Sequence, residues 1–295
     1  MYPSPPDKDK QGDTERFMGT WFNKTEQREK VILASKMSPM DFLRDGQTRY
    51  TAEQISSAID GNLERLQTDY IDIYQLHWPE RQANFFSQRG YSEEMAAQSL
   101  DDLTPFLETI QALNDEIKKG RIRAYGLSND TAWGLMRYLW EADKNGLIAP
   151  ITVQNPYSLL NRLYEVGMAE IAHRENVGLL AYSPLGFGVL SGKYLDGKRP
   201  TGARLTMYDR FARYTNEEAK AATTQYAKIA ADAGLDMAQM ALAFVNSRSF
   251  VTSNIIGATT TEQLQSNIDS INLTLSTDVL KAIEAVHTQH PNPSP

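Results

Sequence analysis

Short runs of β-branched and aromatic residues alternate along the chain with longer stretches in which apolar positions recur at helical spacing. This alternation is typical of βα units and predicts a mainly parallel sheet in an α/β fold. The predicted strands cover residues 31–35, 70–76, 121–127, 151–154, 177–182 and 254–256. The predicted helices cover residues 15–27, 51–66, 104–119, 131–145, 164–175, 216–232, 237–247, 261–271 and 276–287.

Residues that start and stop helices support several of these boundaries. Thr104 is followed by a proline suited to a first helical turn, and Ser276 is positioned to cap the last helix. Gly120 and Gly146 lie where C-terminal caps are expected. Because no Pro- or Ser-rich linker divides the chain, a single domain over residues 1–295 is predicted.

Six strands in this rhythm fit either an open doubly wound sheet or a closed (β/α)8 barrel that is short of its first two strands. The segment 186–194 superficially suggests a phosphate-binding P-loop, but its spacing is wrong and Tyr194 stands where the magnesium-binding hydroxyl belongs. No G-x-G-x-x-G turn follows an early strand either. The pattern therefore favours the barrel, in which functional residues collect at the C-terminal ends of the strands.

The composition removes several classes of function. The 295 residues include 37 acidic and 30 basic side chains and no cysteine, which gives a net charge of −7. Disulfides, thiolate metal sites and a cysteine nucleophile are thereby excluded. Without a cluster of Lys and Arg, nucleic acid is not an expected partner, and no apolar run is long enough for a membrane span. We expect a soluble cytoplasmic protein without a membrane partner, whose oligomeric state the sequence leaves open.

Two residues that can carry a proton stand at the ends of neighbouring predicted strands. Lys36 follows the first strand, and His77 follows the second. Taken separately, the lysine could simply mark the point at which the strand reaches solvent, and the histidine could have a structural role. Taken together, they could meet over one cavity at the C-terminal edge of the sheet.

The next three strands end in hydroxyl, amide and aromatic side chains, namely Ser128 with Asn129, then Gln154, then Tyr182. Asn129 and the two residues after it could serve only as a helix cap. As a set, however, these side chains offer amide hydrogen bonds and an aromatic face, which suits a flat heteroaromatic ring that carries a carboxamide. Nicotinamide fits that description.

Several segments together resemble the aldo-keto reductases, with particular similarity to their bacterial Tas-like branch. They are residues 69–79 (DYIDIYQLHWP), 126–129 (GLSN), 154–155 (QN), 182–186 (YSPLG) and 257–264 (GATTTEQL), with Asn267 beyond the last. The resemblance implies a (β/α)8 TIM barrel that binds NADP(H) in an extended form. It also implies reduction of a small-molecule aldehyde or ketone without a metal.

The resemblance assigns a role to each matching residue. The catalytic lysine, histidine and tyrosine acid would be Lys36, His77 and Tyr2. Ser128, Asn129 and Gln154 would hold the carboxamide, and Tyr182 would stack on the nicotinamide ring. The pyrophosphate and its covering loop would contact Ser183, Leu185, Lys193 and Arg204. The pocket for the adenosine 2′-phosphate would contain Gly257, Thr259, Gln263 and Asn267.

Two departures from the family pattern accompany the match. Ser266 stands where many relatives carry a glutamate near the adenine. The family's catalytic aspartate precedes the tyrosine, so Tyr2 at the second position implies an N-terminally truncated, incomplete barrel that lacks its first two strands and first helix. For the chain as it stands we expect little or no reductase activity.

Other functions stay open from the sequence. One is an NADP(H)-binding regulatory protein like the potassium-channel beta subunits, which differ from this chain at the His77 position. Another is an inactive fragment, because missing strands leave unpaired sheet edges. The long connection from His77 to Thr104 carries Phe86 and Tyr91, which fit substrate contact and loop packing equally well.

Overall fold

The computed structural model describes residues 7–38, 49–84, 86, 88, 90–208 and 213–295. Tyr2, the predicted acid, lies outside the described residues. The chain forms two compact units. Unit 1 consists of the residues up to Ala83 together with Ser92–Val153, and unit 2 consists of Asn84–Tyr91 and Gln154–Pro295.

Unit 1 alternates strands with amphipathic helices. Its helices are α1 (Asp13–Thr25), α2 (Ala52–Leu66), α3 (Glu93–Ala97), α4 (Phe106–Lys118) and α5 (Ala132–Lys144), and its strands are β1 (Ala34–Met37), β2 (Ile71–Leu76) and β3 (Ile122–Ser128). The β1–β2 and β2–β3 pairs are parallel, with Lys36 opposite Gln75 and Gln75 opposite Gly126. The carboxyl ends of the three strands therefore lie at the same edge of the sheet.

Strand β4 (Thr152–Pro156) begins in unit 1 and ends in unit 2. The other elements of unit 2 are α6 (Tyr164–Arg174), β5 (Gly178–Tyr182), α7 (Arg204–Met207), α8 (Glu217–Asp232), α9 (Met237–Asn246), β6 (Val251–Asn254), α10 (Thr261–Asp269) and α11 (Thr277–Gln289). The β5–β6 pair is parallel. The core of unit 2 includes the stacked rings of Tyr157 and Phe244, which are fully buried.

The predicted α/β class is confirmed, and five predicted strands overlap observed ones by two or more residues, whereas the predicted strand 254–256 shares only Asn254 with β6. Strand β1 starts later than predicted because the backbone N–H of Leu33 is bound by the Asp72 carboxylate at 2.9 Å instead of joining a regular ladder. Helices α3 and α7 have five and four residues, too short for a periodic pattern to reveal. The closed barrel and its expected incompleteness stay predictions from the sequence.

The predicted helix caps are largely as expected. The Ser276 side chain accepts the backbone N–H of Val279, and Gly120 and Gly146 have φ values of 77° and 61° after α4 and α5. Pro105 occupies the cap position of α4, one residue before its first turn. Within the described ranges, no helix combines the length and apolar character that crossing a membrane requires.

Candidate active site

Lys36 and His77 lie on neighbouring strand ends of unit 1. Lys36 belongs to β1 and pairs in register with Gln75 of β2. His77 is the first residue after β2, and its backbone N–H donates to the Met37 carbonyl at 2.8 Å. The structure thus brings together the two residues that the strand-end pattern singled out.

The two side chains differ in protonation at neutral pH. Burial lowers the pKa of Lys36 to about 8, and the negative charge of Glu15 opposes this effect. Burial lowers the pKa of His77 to about 3, and the neighbouring Lys36 cation acts in the same direction. At pH 7 the pair therefore consists of an ammonium and a neutral imidazole, which has one N–H donor and one acceptor nitrogen.

The segment that follows His77 is held by Tyr50. The buried Tyr50 hydroxyl donates to the Trp78 carbonyl at 2.6 Å and accepts the Trp78 N–H at 3.3 Å. The indole of Trp78 is 6% exposed and lies beside the imidazole, with ring centroids 5.1 Å apart. The Glu80 carboxylate accepts the backbone N–H groups of Tyr50 and Thr104, the latter at 2.9 Å. Sequence reasoning missed these supports, because their partners are far apart in the chain.

Asn129 connects the ends of β2 and β3. Its Nδ2 donates to the His77 carbonyl at 3.0 Å and to the Ser128 hydroxyl at 3.2 Å. The residue has a φ of 55°, in the left-handed region that Asn tolerates better than most residues. Thr131, whose hydroxyl accepts the Gly134 N–H, caps α5 instead. The cap that the sequence allowed in this segment is therefore supplied by Thr131, while Asn129 itself joins two strand ends.

Gln75 is a further buried residue near Lys36 that the sequence pattern did not single out. It is fully buried, and within the described part of the chain neither of its amide atoms has a hydrogen-bond partner. Residues paired in register on parallel strands project from the same face, so Gln75 lies on the face that carries Lys36. An unsatisfied buried amide costs about 1–3 kcal/mol, and such groups in native proteins often belong to functional sites.

Of the predicted ring-binding residues in unit 2, Tyr182 ends a strand, whereas Gln154 lies in the middle of one, because β4 extends two residues beyond its predicted end. Gln154 is in β4, and Tyr182 is the last residue of β5, where its carbonyl accepts the Tyr157 N–H at 3.2 Å. Burial raises the pKa of Tyr182, so its phenol stays neutral. Ser183 follows with a φ of 55°, which turns the chain sharply at the end of the strand.

The turn after β5 contains residues suited to an anion. It is the six-residue 3-10 segment Gly186–Ser191, which is kinked at Phe187 and Gly188, and its Gly188 has a φ of 93°. This backbone conformation favours glycine, and a Cβ at Gly188 would lie 2.6 Å from Lys193 Cε, so the lysine side chain lies directly against the turn. The Leu185 carbonyl accepts the N–H groups of Gly188 and Leu190 and so closes the turn.

Lys193 and Arg204 form a pair of like charges. Burial lowers the pKa of Lys193, and the Arg204 cation adds to the effect. Among the described residues, no carboxylate forms an ion pair with Lys193. Two close cations, one of them without a bound acid, favour a negatively charged group such as a diphosphate. The residues around this turn therefore fit the diphosphate of NADP(H).

Of the four residues predicted for the 2′-phosphate, Gly257, Thr259 and Gln263 lie around the start of α10, and Asn267 lies in its second half. Gln263 Oε1 accepts the Thr259 N–H at 3.1 Å and the Thr259 hydroxyl at 3.0 Å. Asn267 Nδ2 lies 3.5 Å from the Gly257 carbonyl. Gly257, Thr259 and Gln263 are exposed, so their polar groups are accessible to an anion at the helix N-terminus.

Phe86 and Tyr91, the aromatic residues of the connection from His77 to Thr104, differ in their surroundings. The Arg213 guanidinium lies 4.6 Å from the centre of the Phe86 ring in unit 2, a packing contact. Tyr91 is 67% exposed. Neither observation identifies a substrate contact.

Comparison with known proteins extends the match over the whole chain. A model of the aldo/keto reductase family matches residues 1–288. Protein tas of Escherichia coli (strain K12) is 49% identical over 299 residues, which cover 100% of this chain and 85% of that protein. An aldo-keto reductase of Babesia bovis is 36% identical over 252 residues, or 81% of this chain and 88% of the relative.

A more distant relative is named as a channel subunit. It is a probable voltage-gated potassium channel subunit beta of Arabidopsis thaliana, 29% identical over 245 residues, or 81% of this chain and 68% of that protein. The family model covers almost the entire chain, and both nearer relatives exceed 30% identity over most of their own length. The chain therefore belongs to the aldo-keto reductase family of oxidoreductases.

Proposed function

We propose that this chain reduces an aldehyde or ketone to an alcohol with NADPH, with Lys36 and His77 acting in the proton relay. The observation that carries the proposal is the pair itself, a half-buried cation and a neutral imidazole at the ends of two adjacent parallel strands of unit 1. A cationic donor and a neutral donor at one strand edge suit a reaction in which a carbonyl oxygen gains negative charge.

Each residue has a specific task in this proposal. Bound NADPH would supply the hydride. The neutral His77 would donate its N–H to the substrate oxygen and orient it. The Lys36 cation would stabilise the charge on that oxygen and favour proton loss from the acid, for which Tyr2 is the sequence-based candidate. A free tyrosine has a pKa near 10, so a neighbouring cation is needed for proton exchange at neutral pH.

Unit 2 supports the choice of cofactor. Lys193 and Arg204 next to the turn after β5 suit a diphosphate. Gln263 offers its exposed side-chain amide at the start of a nine-residue helix, and Thr259 would exchange its two hydrogen bonds to Gln263 for a phosphate oxygen, which suits a phosphate monoester. That second anionic group distinguishes NADP(H) from NAD(H), so we propose NADP(H) as the cofactor.

The experiment that tests the function combines binding with turnover. NADPH affinity is measured by fluorescence titration, and NADPH oxidation is followed at pH 7 with propanal, 4-nitrobenzaldehyde and a small ketone. Because Lys36 and His77 are held at adjacent strand ends, we expect tight binding of NADPH and turnover with at least one carbonyl compound, which would overturn the expectation of little or no activity drawn from the sequence. Binding without any turnover across the panel would reject the reductase and favour the regulatory role of the channel-subunit relatives.

A further inference from the structure

The carboxylate of Glu15 in α1 is bound to the residue that precedes Lys36. Its Oε1 accepts hydrogen bonds from the Ser35 hydroxyl and from Asn62 Nδ2, the latter at 2.6 Å. Its Oε2 accepts from Arg65 Nε at 2.7 Å. Since successive strand residues point to opposite faces, this contact lies on the face of β1 opposite Lys36. Three donors thus hold a side chain that is only 16% exposed.

Asn62 extends this contact to the next strand. Its Oδ1 accepts the Tyr74 hydroxyl at 3.1 Å, and its Nδ2 also lies 3.2 Å from the Ser35 hydroxyl oxygen. Asn62 and Tyr74 are 4% and 0% exposed. The network therefore joins α1, α2, β1 and β2 through buried hydrogen bonds, which fixes the position of the Glu15 charge relative to β1.

Helix α1 is held close enough for this contact by a glycine. A Cβ at Gly19 would lie 2.6 Å from the Arg65 carbonyl and 2.7 Å from the Leu66 carbonyl carbon, so a larger residue would push α1 away from α2. The spacing of Gly19 and Glu15, one helical turn apart, places both on the face that packs against α2. The same packing that buries the helix delivers the carboxylate to the strand.

The charged groups near Lys36 can be assigned by element. From α1, Glu15 raises the pKa of Lys36 and so opposes the lowering caused by burial. From α2, Arg65 pairs with Glu15 and weakens its field. From the end of β2, His77 is neutral at pH 7, because burial has lowered its pKa to about 3. Of these groups, only the carboxylate of Glu15 favours the Lys36 cation.

We propose that Glu15 is a positioning residue for the proton relay, which holds β1 through Ser35 and stabilises the Lys36 cation from behind the strand. The inference rests on the proposed function for its catalytic meaning. The family resemblance assigned no role to Glu15, and nothing in its local sequence pattern singles it out, because Glu at the third position of a helix is common. Its role follows from the contacts of α1 with β1 and α2.

The test is a titration of Lys36 in the variant Glu15→Gln. The protein is labelled with 13C,15N-lysine, the Lys36 resonance is assigned by its loss in Lys36→Met, and its pKa is measured by NMR between pH 6 and pH 11. We expect the pKa to fall by about one pH unit, from about 8 to about 7. The protonated fraction of Lys36 at pH 7.5 would then fall about threefold. The alkaline limb of the kcat/KM profile would move to lower pH by the same shift of about one pH unit.

Two further variants complete the design. Asp13→Asn removes a carboxylate from the same helix, one that pairs with the half-exposed Arg16 at 2.7 Å, and should leave the Lys36 titration unchanged. Arg65→Gln keeps Glu15 charged while removing its partner, and should raise the Lys36 pKa. Arg65 is 31% exposed, so its replacement is less disruptive to folding. Arg65→Gln therefore tests the inference even if Glu15→Gln does not fold.

The outcomes separate this inference from the proposed function. An unchanged Lys36 titration in both Glu15→Gln and Arg65→Gln would overturn the role of Glu15. The titration does not depend on turnover. A shifted Lys36 in a protein that reduces no carbonyl compound would therefore support the electrostatic role of Glu15 and reject the reductase.

Discussion

The side-chain amide of Asn129 donates a hydrogen bond to the backbone carbonyl of His77 at 3.0 Å, across the ends of β3 and β2. The two residues are 52 positions apart in the chain, and Asn129 is 5% exposed. The contact fixes the backbone of the residue whose side chain we propose to bind the substrate oxygen. Asn129 also has the left-handed conformation that lets its amide turn back toward β2.

Replacing this asparagine should destabilise the protein and misplace His77. For Asn129→Ala we expect a loss of about 2 kcal/mol in the free energy of unfolding, from the lost hydrogen bond and from a β-carbon at a φ of 55°. Asn129→Gly removes the hydrogen bond without that strain, and should lose less. Urea unfolding measures both values. Equal stability of all three proteins would show that the contact contributes nothing.

Removing the Lys36 cation should stop the reaction without affecting cofactor binding. For Lys36→Met we expect kcat for a small aldehyde to fall by about a hundredfold or more, with the NADPH dissociation constant unchanged within about twofold. In the wild type, kcat/KM should fall as the pH rises through about 8, because the cation is then lost. Lys36→Arg stays charged, so any activity that it retains should lack this alkaline limb. Wild-type turnover by Lys36→Met would exclude the relay.

The neutral His77 should make stability depend on acid pH. Its pKa is about 3 in the folded chain and about 6.5 when unfolded, so between these values the unfolded state binds one more proton. Stability is therefore complete above pH 6.5 and falls toward pH 3. Between pH 6.5 and pH 4, we expect the free energy of unfolding of His77→Gln to decrease by on the order of 2 kcal/mol less than that of the wild type. The exposed His173, changed to Gln, is the control for thermal melts at each pH. An identical slope in wild type and His77→Gln would contradict the burial of the imidazole.

The preference for NADPH should depend on the start of α10. Gln263→Glu places a carboxylate where the 2′-phosphate is proposed to bind, so we expect the NADPH dissociation constant to rise about tenfold, or about 1.4 kcal/mol. NADH, which has no phosphate there, should change by less than about twofold. Gln265→Glu, an exposed residue of the same helix, adds the same charge as a control. Equal effects on the two cofactors, or equal dissociation constants in the wild type, would refute the assignment.

Unit 2 has a buried arginine whose loss should be costly. Arg162 is 5% exposed and binds both carboxylate oxygens of Glu165, at 2.8 and 2.7 Å, and Glu284 at 2.9 Å. For Arg162→Met we expect a loss of about 3–5 kcal/mol, because the partly buried Glu165 is left without its cation. Arg174→Met breaks an exposed pair with Glu170 and should lose less than about 1 kcal/mol. Urea unfolding decides between these values, and similar losses would show that burial of Arg162 is unimportant.

The features that the sequence determined by itself are those that depend on neighbouring residues. Alternating apolar runs located the strands, and Ser276, Gly120 and Gly146 marked helix ends through hydrogen bonds and backbone angles confined to a few residues. The positions of Lys36 and His77 after consecutive strands were equally visible. Parallel pairing brings such strand ends to one edge, so the local pattern was enough to predict that these residues are close.

Tertiary structure decided what holds those residues and what charge they carry. The contacts of Asn129 with His77, of Tyr50 with Trp78 and of Glu15 with Ser35 span 52, 28 and 20 positions. Partners so far apart leave no periodic signal, because their meeting depends on how helices pack on strands. The lowered pKa values of Lys36 and His77 likewise come mainly from burial, a property of the folded chain. Local spacing therefore identified the residues, while packing over long sequence distances determined their environment.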